Sequence, residues 1–450
     1  MKQLSLATLM LSSALLATPE VNSISEVFSE AKTSGNIKYY YIQTDKDFDT
    51  SPSTSANANS IGGQLSFDTA SLYGVSGGVT FMTTNPFLLD DTVDTSIIGK
   101  DNGARLNAGL NAPYATDSFS VLGEAYIQYA YSDFNFLYGR QVVKTPLLHA
   151  KEVRMLPSAV QGAFASYKLA EKSKLEVAYI DRFKQRTSNQ FMNIIEHALG
   201  GDTELVTGST DGYVVMAGAD YKVDDLTLKA YDYYAQDFLN SAYIDVSYKL
   251  KIADAKVTFA AQYINQTSIG NADNYFENNA SYAGGTISSN AFGAKTSISY
   301  GSAKFLLAYS NVLRDDGSHD SLVLPWDGTP LFTNMITSND LFQSIYGSAL
   351  KSDSIYIGGS QGIKIAYSQN YDFLGLDGIS STLAYLNTSN DKFLENQQDY
   401  NLVLAYKHSK KFALALKGIW VQNNSGASAD GTVSQLKLLS QYRVIANYKF

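Results

Sequence analysis

The last sixteen residues, Gln435 to Phe450, constrain the fold more than any other stretch. Leu436, Leu438, Ser440, Tyr442, Val444, Ala446, Tyr448 and Phe450 alternate with Gln435, Lys437, Leu439, Gln441, Arg443, Ile445, Asn447 and Lys449. Successive strand side chains point to opposite faces, so one face is uncharged and the other carries amides and cations. The sequence stops at Phe450, inside this strand. A strand there leaves an open edge unless it pairs, most simply with the first strand. The expectation is a closed barrel, greasy outside and wet inside, able to sit in a lipid bilayer.

Alternation broken by turns continues from Gly35 onward without a sustained helical period. Ala242, Ile244, Val246, Tyr248 and Leu250 alternate with Tyr243, Asp245, Ser247 and Lys249, and Val257, Phe259, Ala261 and Tyr263 follow. Short connections (Tyr131–Asp133, Val223–Asp225, Ala253–Ala255, Gly301–Ala303, His408–Lys411) alternate with long ones (Thr84–Ser118, Val142–Ser158, Thr187–Asp211, Ser268–Ser288, Asp315–Ser354). Barrels of the outer membrane have short periplasmic turns, long outer loops and even strand numbers. The pattern therefore predicts an all-β, transmembrane antiparallel barrel of about 18 strands over residues 35–450. Residues 18–34 read as a periplasmic N-terminal segment, with a short polar helix or coil between Glu20 and Thr33.

Composition agrees. Charged residues are 17% of the chain, and past the N-terminus no apolar run approaches the ~20 residues of a spanning helix, so crossing must be by strands. The chain has 32 Tyr and 22 Phe against 2 Trp, and amphipathic rings suit both the bilayer interfaces and strands. It has no Cys, which excludes a disulfide framework and thiolate chemistry. Met1-Lys-Gln3 followed by an apolar run to Ala17 reads as a secretory signal peptide, residues 1–17, which implies export, and the barrel pattern then places the exported chain in the outer membrane.

The uncharged row of each strand is expected to face lipid, where a midplane charge costs roughly 2–4 kcal/mol. The opposite rows give a ladder of cations toward the lumen: Arg182, Lys184, Arg186, Lys229, Lys249, Lys295, Lys364, Lys407, Lys437 and Arg443. Lys304 and Lys417 fall on the same face. Fewer acids lie there (Glu124, Glu176, Asp220, Asp245), although the chain's formal net charge is −9. Asp181 falls on the apolar row, above the lipid band or at a bulge. A water-filled channel with cations on its wall favours anions; alternatively these cations only pair with inward carboxylates and stiffen the wall. Residues 142–158 are too long for a turn and too apolar for a solvated loop, and Pro146 and Pro157 keep them out of a ladder. Folded into the barrel, the stretch would pack Leu147, Leu148, Met155 and Leu156 and place Lys144, Lys151, Glu152 and Arg154 at the narrowest point. Packing on neighbouring outer loops is the alternative.

Gly139-Arg-Gln141, Pro146, Glu152-Val-Arg154-Met-Leu-Pro157 and Gly162 together resemble the constriction region of the OprD family of substrate-selective outer-membrane porins. Glu152 stands where that family usually has Asp. Arg182-Phe-Lys-Gln-Arg186-Thr-Ser, Tyr243–Leu250 and Lys364–Tyr371 are also similar, and Ser34-Gly-Asn-Ile-Lys-Tyr-Tyr-Tyr41 is similar to a branch that includes major outer-membrane porins. The aromatic last residue, with tyrosines before it, resembles the end strand of bacterial barrels and implies a handle for the barrel-assembly machinery at Phe450. The resemblance implies an 18-stranded barrel, a basic ladder and passive uptake of small, often carboxylate-bearing solutes.

Enzyme chemistry is not expected. The four histidines (149, 197, 319, 408) lack metal-ligand spacing. Ser318-His-Asp-Ser321 cannot form a triad from adjacent residues, and Gly293-Ala-Lys-Thr296 lacks the glycine spacing of a phosphate loop. Asp315, Asp316 and Asp320 could hold Ca²⁺, but solvated loop charge is the simpler reading. No cofactor and no nucleic acid are expected; the partners are the bilayer and small solutes, and a homotrimer stays open. Two other functions remain in play: a general diffusion pore, and a structural or adhesive barrel that conducts nothing.

Overall fold

The structure, a computed structural model, describes residues 19–48, 52–86, 118–150, 154–279, 284–336, 354–390, 394–423 and 436–450. Residues 1–17, read as a signal peptide, lie outside them. Among the described residues, eighteen long strands form a single sheet. They are β1 (Lys32–Phe48), β2 (Thr54–Asp68), β3 (Val75–Pro86), β4 (Phe119–Tyr131), β5 (Phe134–Gln141) and β6 (Ala159–Ala170). Next come β7 (Ser173–Lys184), β8 (Val214–Val223), β9 (Leu226–Ala235), β10 (Leu239–Ile252), β11 (Ala255–Ser268) and β12 (Ser288–Tyr300). The last third is β13 (Ala303–Val312), β14 (Gln361–Asn370), β15 (Ile379–Asn390), β16 (Leu394–Lys407), β17 (Phe412–Asn423) and β18 (Leu436–Lys449).

Each strand pairs antiparallel with the next, and β18 pairs with β1 from Asn36↔Lys449 to Phe48↔Leu436. The sheet is therefore closed, and its edges vanish into each other. Phe450 extends the seam: its N–H donates to the Gly35 carbonyl at 3.1 Å and its carbonyl accepts from the Gly35 N–H at 3.3 Å. The first long strand begins at Lys32, three residues before the expected boundary at Gly35. Before it, α1 (Ile24–Ser29) is started by Ser23 and Glu26, which cap each other's backbone N–H groups.

The burial pattern sorts the two faces. Ile37, Ile127, Leu307 and Ile365 are 52–55% exposed although apolar, all on outward rows. Their neighbours on the inward rows, such as Lys38, Met216, Gln262 and Arg443, are buried. No helix among the described residues is long and apolar enough to cross a membrane. An exposed apolar belt around a closed sheet is what a strand-built membrane span requires.

Glycines are placed where neighbouring backbone leaves no room. Gly139 on β5 lies opposite Gly162 on β6, and has φ +133°. A Cβ at Gly139 would stand 2.2 Å from the Ala125 carbonyl oxygen, and one at Gly162 would stand 2.0 Å from that of Tyr179. A Gly139→Val variant is expected to prevent β4 and β5 from pairing beside the inward loop. The folded band that migrates ahead of heated protein on a gel should disappear.

Candidate functional site

The barrel is not an empty tube. Residues 142–150 and 154–158 pack against the inner walls of the barrel. The Glu124 carboxylate accepts from the Val142 N–H at 3.1 Å, and the Tyr233 hydroxyl accepts from the Leu147 N–H at 3.3 Å. Leu147 and Leu148 pack into a cluster with Val160, Ile180, Phe183, Met216 and Tyr233. Met155 and Leu156 join a second one, with Tyr40, Ile42, Met82 and Phe119. One loop thus braces two walls of the cylinder. Lys144 lines the cavity below it, and Arg154 is buried, its carbonyl and that of Met155 accepting from the Lys38 ammonium at 3.4 and 3.2 Å. Lys151 and Glu152 lie outside the described residues.

A second inward segment, residues 313–336, was not anticipated. It is docked by amides on the inward row of β11. Gln262 donates to the Pro330 carbonyl at 3.1 Å and accepts from the Phe332 N–H at 3.1 Å. Gln266, two inward positions further along, grips Val323 through both its carbonyl (2.8 Å) and its N–H (2.7 Å). Trp326 is buried and donates its indole N–H to the Ile194 carbonyl at 3.1 Å, at the start of α2 (Ile194–Leu199). Asp327, beside it, accepts from both Ser158 and Arg186, so the two inward segments are tied through one carboxylate. The signal was present in Leu322-Val-Leu-Pro-Trp326, as apolar as the stretch that drew attention to 142–158.

The predicted ladder divides. Lys229, Lys249, Lys295, Lys364, Lys407 and Arg443 occupy inward positions of their strands, whereas Lys437 is exposed and falls at a register shift of β18 between Leu436 and Leu438. Of these, Lys295 sits 3.7 Å over the Phe332 ring and Lys364 donates to the Asn334 carbonyl at 2.6 Å. Arg443 is buried, donating to Gln441 at 2.7 Å and to the Tyr40 hydroxyl at 3.3 Å. The group Arg182, Lys184 and Arg186 does not form the expected rung. A bulge at Asp181 shifts the register, with Gly162 facing Ile180 and Gln161 facing Arg182. Phe183 then points into the inner cluster and Arg182 points outward. Lys184 is fully buried and donates to the carbonyls of Pro157 (3.1 Å) and Gln185 (2.9 Å), and Arg186 is held by Asp327. These two cations position the inward loops and do not line the water path.

Lys38 was missed, although it alternates with Tyr40, Ile42 and Thr44 on the inward row of β1. The charges of Arg443, Lys417, Arg154 and Lys38 converge on the buried Tyr40 hydroxyl. Lys417 is the cross-strand neighbour of Arg443. On the periplasmic side of loop 142–158 lies a cavity of ≈ 320 Å³, lined among others by Lys32, Asp68, Glu124, Tyr126, Lys144, Lys174 and Glu176. Glu176 accepts from Lys174 at 2.7 Å and from Tyr231 at 2.6 Å, so the acids on this wall are partly neutralised in place.

The residues weighed above for a triad or a phosphate loop are structural. Ser318, His319, Asp320 and Ser321 are buried packing elements: the Ser321 carbonyl accepts from Ser289 at 2.6 Å, and Asp320 accepts from the Asp315 N–H at 3.0 Å. Gly293 to Thr296 are part of β12. Among the described residues no group of three metal-ligating side chains comes together.

The comparisons agree with this geometry. A model of the outer membrane porin, OprD family, matches residues 26–445. No curated protein matches the chain. Among solved structures, OccK8 (OprE) of Pseudomonas aeruginosa superposes with a TM-score of 0.72 at 16% identity, over 94% of this chain and 99% of that one. OpdK of the same organism, crystallised with vanillate, gives 0.69 at 15% identity over 94% and 99%. OccK2 (OpdF) of Pseudomonas aeruginosa, in complex with glucuronate, gives 0.65 at 14% identity over 93% and 98%. A match over nearly the whole chain, on a closed eighteen-stranded cylinder with an apolar belt and a partly filled lumen, identifies a channel and not an enzyme: the chain belongs to the OprD family of outer membrane porins and is a protein of the cell outer membrane.

Proposed function

We propose that this porin passes small hydrophilic, carboxylate-bearing solutes by passive diffusion, and that cations beside the inward loop select them. The observation that carries the proposal is Lys417, partly exposed on the inward row of β17 and paired in register with Arg443. The buried Lys38, Arg154 and Arg443 add positive field from behind the wall and do not line the water path. Lys229, Lys249 and Lys407 extend the positive surface along the inward rows toward the periplasmic end. In a narrow passage with low-dielectric walls such a row concentrates anions and repels cations. The solutes found with two structurally similar porins, vanillate and glucuronate, are both carboxylates, which supports the same class here.

Two inward segments packed against the wall favour a narrow, selective passage over a general diffusion pore. Purified protein in a planar bilayer under a KCl gradient tests the sign of selectivity. The expected reversal potential favours chloride, and Lys417→Gln should reduce the anion-to-cation permeability ratio roughly twofold. A potential favouring potassium overturns the proposal. A folded barrel that conducts nothing would support a structural role instead.

A further inference from the structure

The outward turn of Arg182 creates a feature that the transport path does not use. On β5 the outward row reads Phe134, Phe136, Tyr138 and then Arg140; on β7 it reads Leu175, Val177, Tyr179 and, after the bulge, Arg182. The strand between them presents Gln161, which pairs in register with both arginines. All three lie at the ends of their strands away from the short turns, so they stand at the outer-leaflet rim of the apolar belt. Gln161 accepts from the Arg140 Nε at 3.1 Å, which spaces the two guanidinium groups across three neighbouring strands. Arg140 also lies 4.3 Å over the Phe191 ring and reaches the Leu122 carbonyl at 3.5 Å, and Arg182 reaches the Phe191 carbonyl at 3.5 Å. These neutral partners orient the guanidiniums without neutralising them. Among the described residues no carboxylate, that of adjacent Asp181 included, forms an ion pair with either.

Two like charges side by side on a membrane-facing wall repel, and the arrangement is favourable only where an anion completes it. At the headgroup level the cost of an outward arginine falls to about 0–1 kcal/mol, so position alone permits the pair without explaining it. Guanidinium forks match the oxygens of a phosphate, and two of them across a rigid sheet can clamp one group. We propose that Arg140, Gln161 and Arg182 form a docking site on the outer wall for the phosphate of an outer-leaflet lipid. Its acyl chains would lie against Phe136, Tyr138, Val177 and Tyr179 directly below. The occupant is a lipid because the site continues the apolar belt, and lipid is what that belt already faces.

Native mass spectrometry of the intact porin, titrated with a phosphorylated glycolipid and with its dephosphorylated counterpart, tests the assignment. The wild type should retain the phosphorylated lipid, and R140Q/R182Q should retain it at least about tenfold more weakly. Removing the phosphate should weaken the wild type to a similar degree and leave the double variant unchanged. Single-channel conductance of the variant should match the wild type, since both side chains lie outside the lumen. Equal retention by the two proteins overturns the proposal, as does full competition by millimolar inorganic phosphate, which would mark a bare anion site. If R140Q/R182Q does not fold, R140K/R182K keeps the charge but loses the forks. It should then bind several-fold more weakly, and unchanged retention would again refute the site.

Discussion

Asp327→Ala is expected to free both inward segments while leaving the cylinder standing. One carboxylate accepts from Arg186 on the chain leaving β7 and from Ser158 at the end of the first inward loop. Its backbone belongs to the second segment and bridges Leu148. Removing it takes this counter-charge from the largely buried guanidinium of Arg186, a loss of up to about 3–5 kcal/mol locally. The strand ladder gains and loses nothing, because no ladder hydrogen bond involves Asp327. Single-channel recordings should therefore show a normal folded barrel with a larger and noisier conductance step, at least about twofold above wild type. Asp327→Asn keeps an acceptor for Ser158 and should fall between the two. A step of unchanged size and noise from Asp327→Ala would show that the carboxylate does not hold the passage narrow.

Trp326→Ala should have the other large effect, through apolar contact. Trp326 is 2% exposed within the cluster that also holds Leu147, Leu148, Phe183 and Ile194. Truncating a buried tryptophan typically costs about 3–5 kcal/mol, more than a docked segment of this size can lose and stay docked. Added protease should then cut within residues 313–336 of a barrel that still migrates as folded. Trp326→Phe keeps most of the ring contact and forfeits the hydrogen bond to Ile194, a loss of about 1 kcal/mol, and should resist the protease. Equal resistance of Trp326→Ala and the wild type would refute the anchoring role.

Period-two patterning shows the strands and the alternating turns, because each is written in residues close together along the chain, and closure follows only from an end strand that needs a partner. What the sequence concealed depends on register. A single extra residue at Asp181 turns Arg182 outward and Phe183 inward, the reverse of what strict alternation predicts. Lys184 and Arg186 were misread for another reason: their partners, Pro157 and Asp327, come from segments far away in the chain. The four cations around Tyr40 come from β1, β17, β18 and the inward loop, and only closure of the barrel brings β1 beside β18. Lys38 was hidden within Tyr39-Tyr40-Tyr41, where a run of similar residues blurs the alternation.

Gln262 and Gln266 hold the second inward segment as a neighbouring strand would, each offering one donor and one acceptor to backbone. Carboxamides bear no net charge, so dissolved ions have nothing to screen at these contacts. The Arg186–Asp327 pair that also holds the segment is largely buried, where salt screens little. The bore should then stay constant between dilute and briny surroundings, while the discrimination between anions and cations fades as the Debye length shortens. Size exclusion and charge preference thus become separable in one molecule, with salt as the dial for only the second.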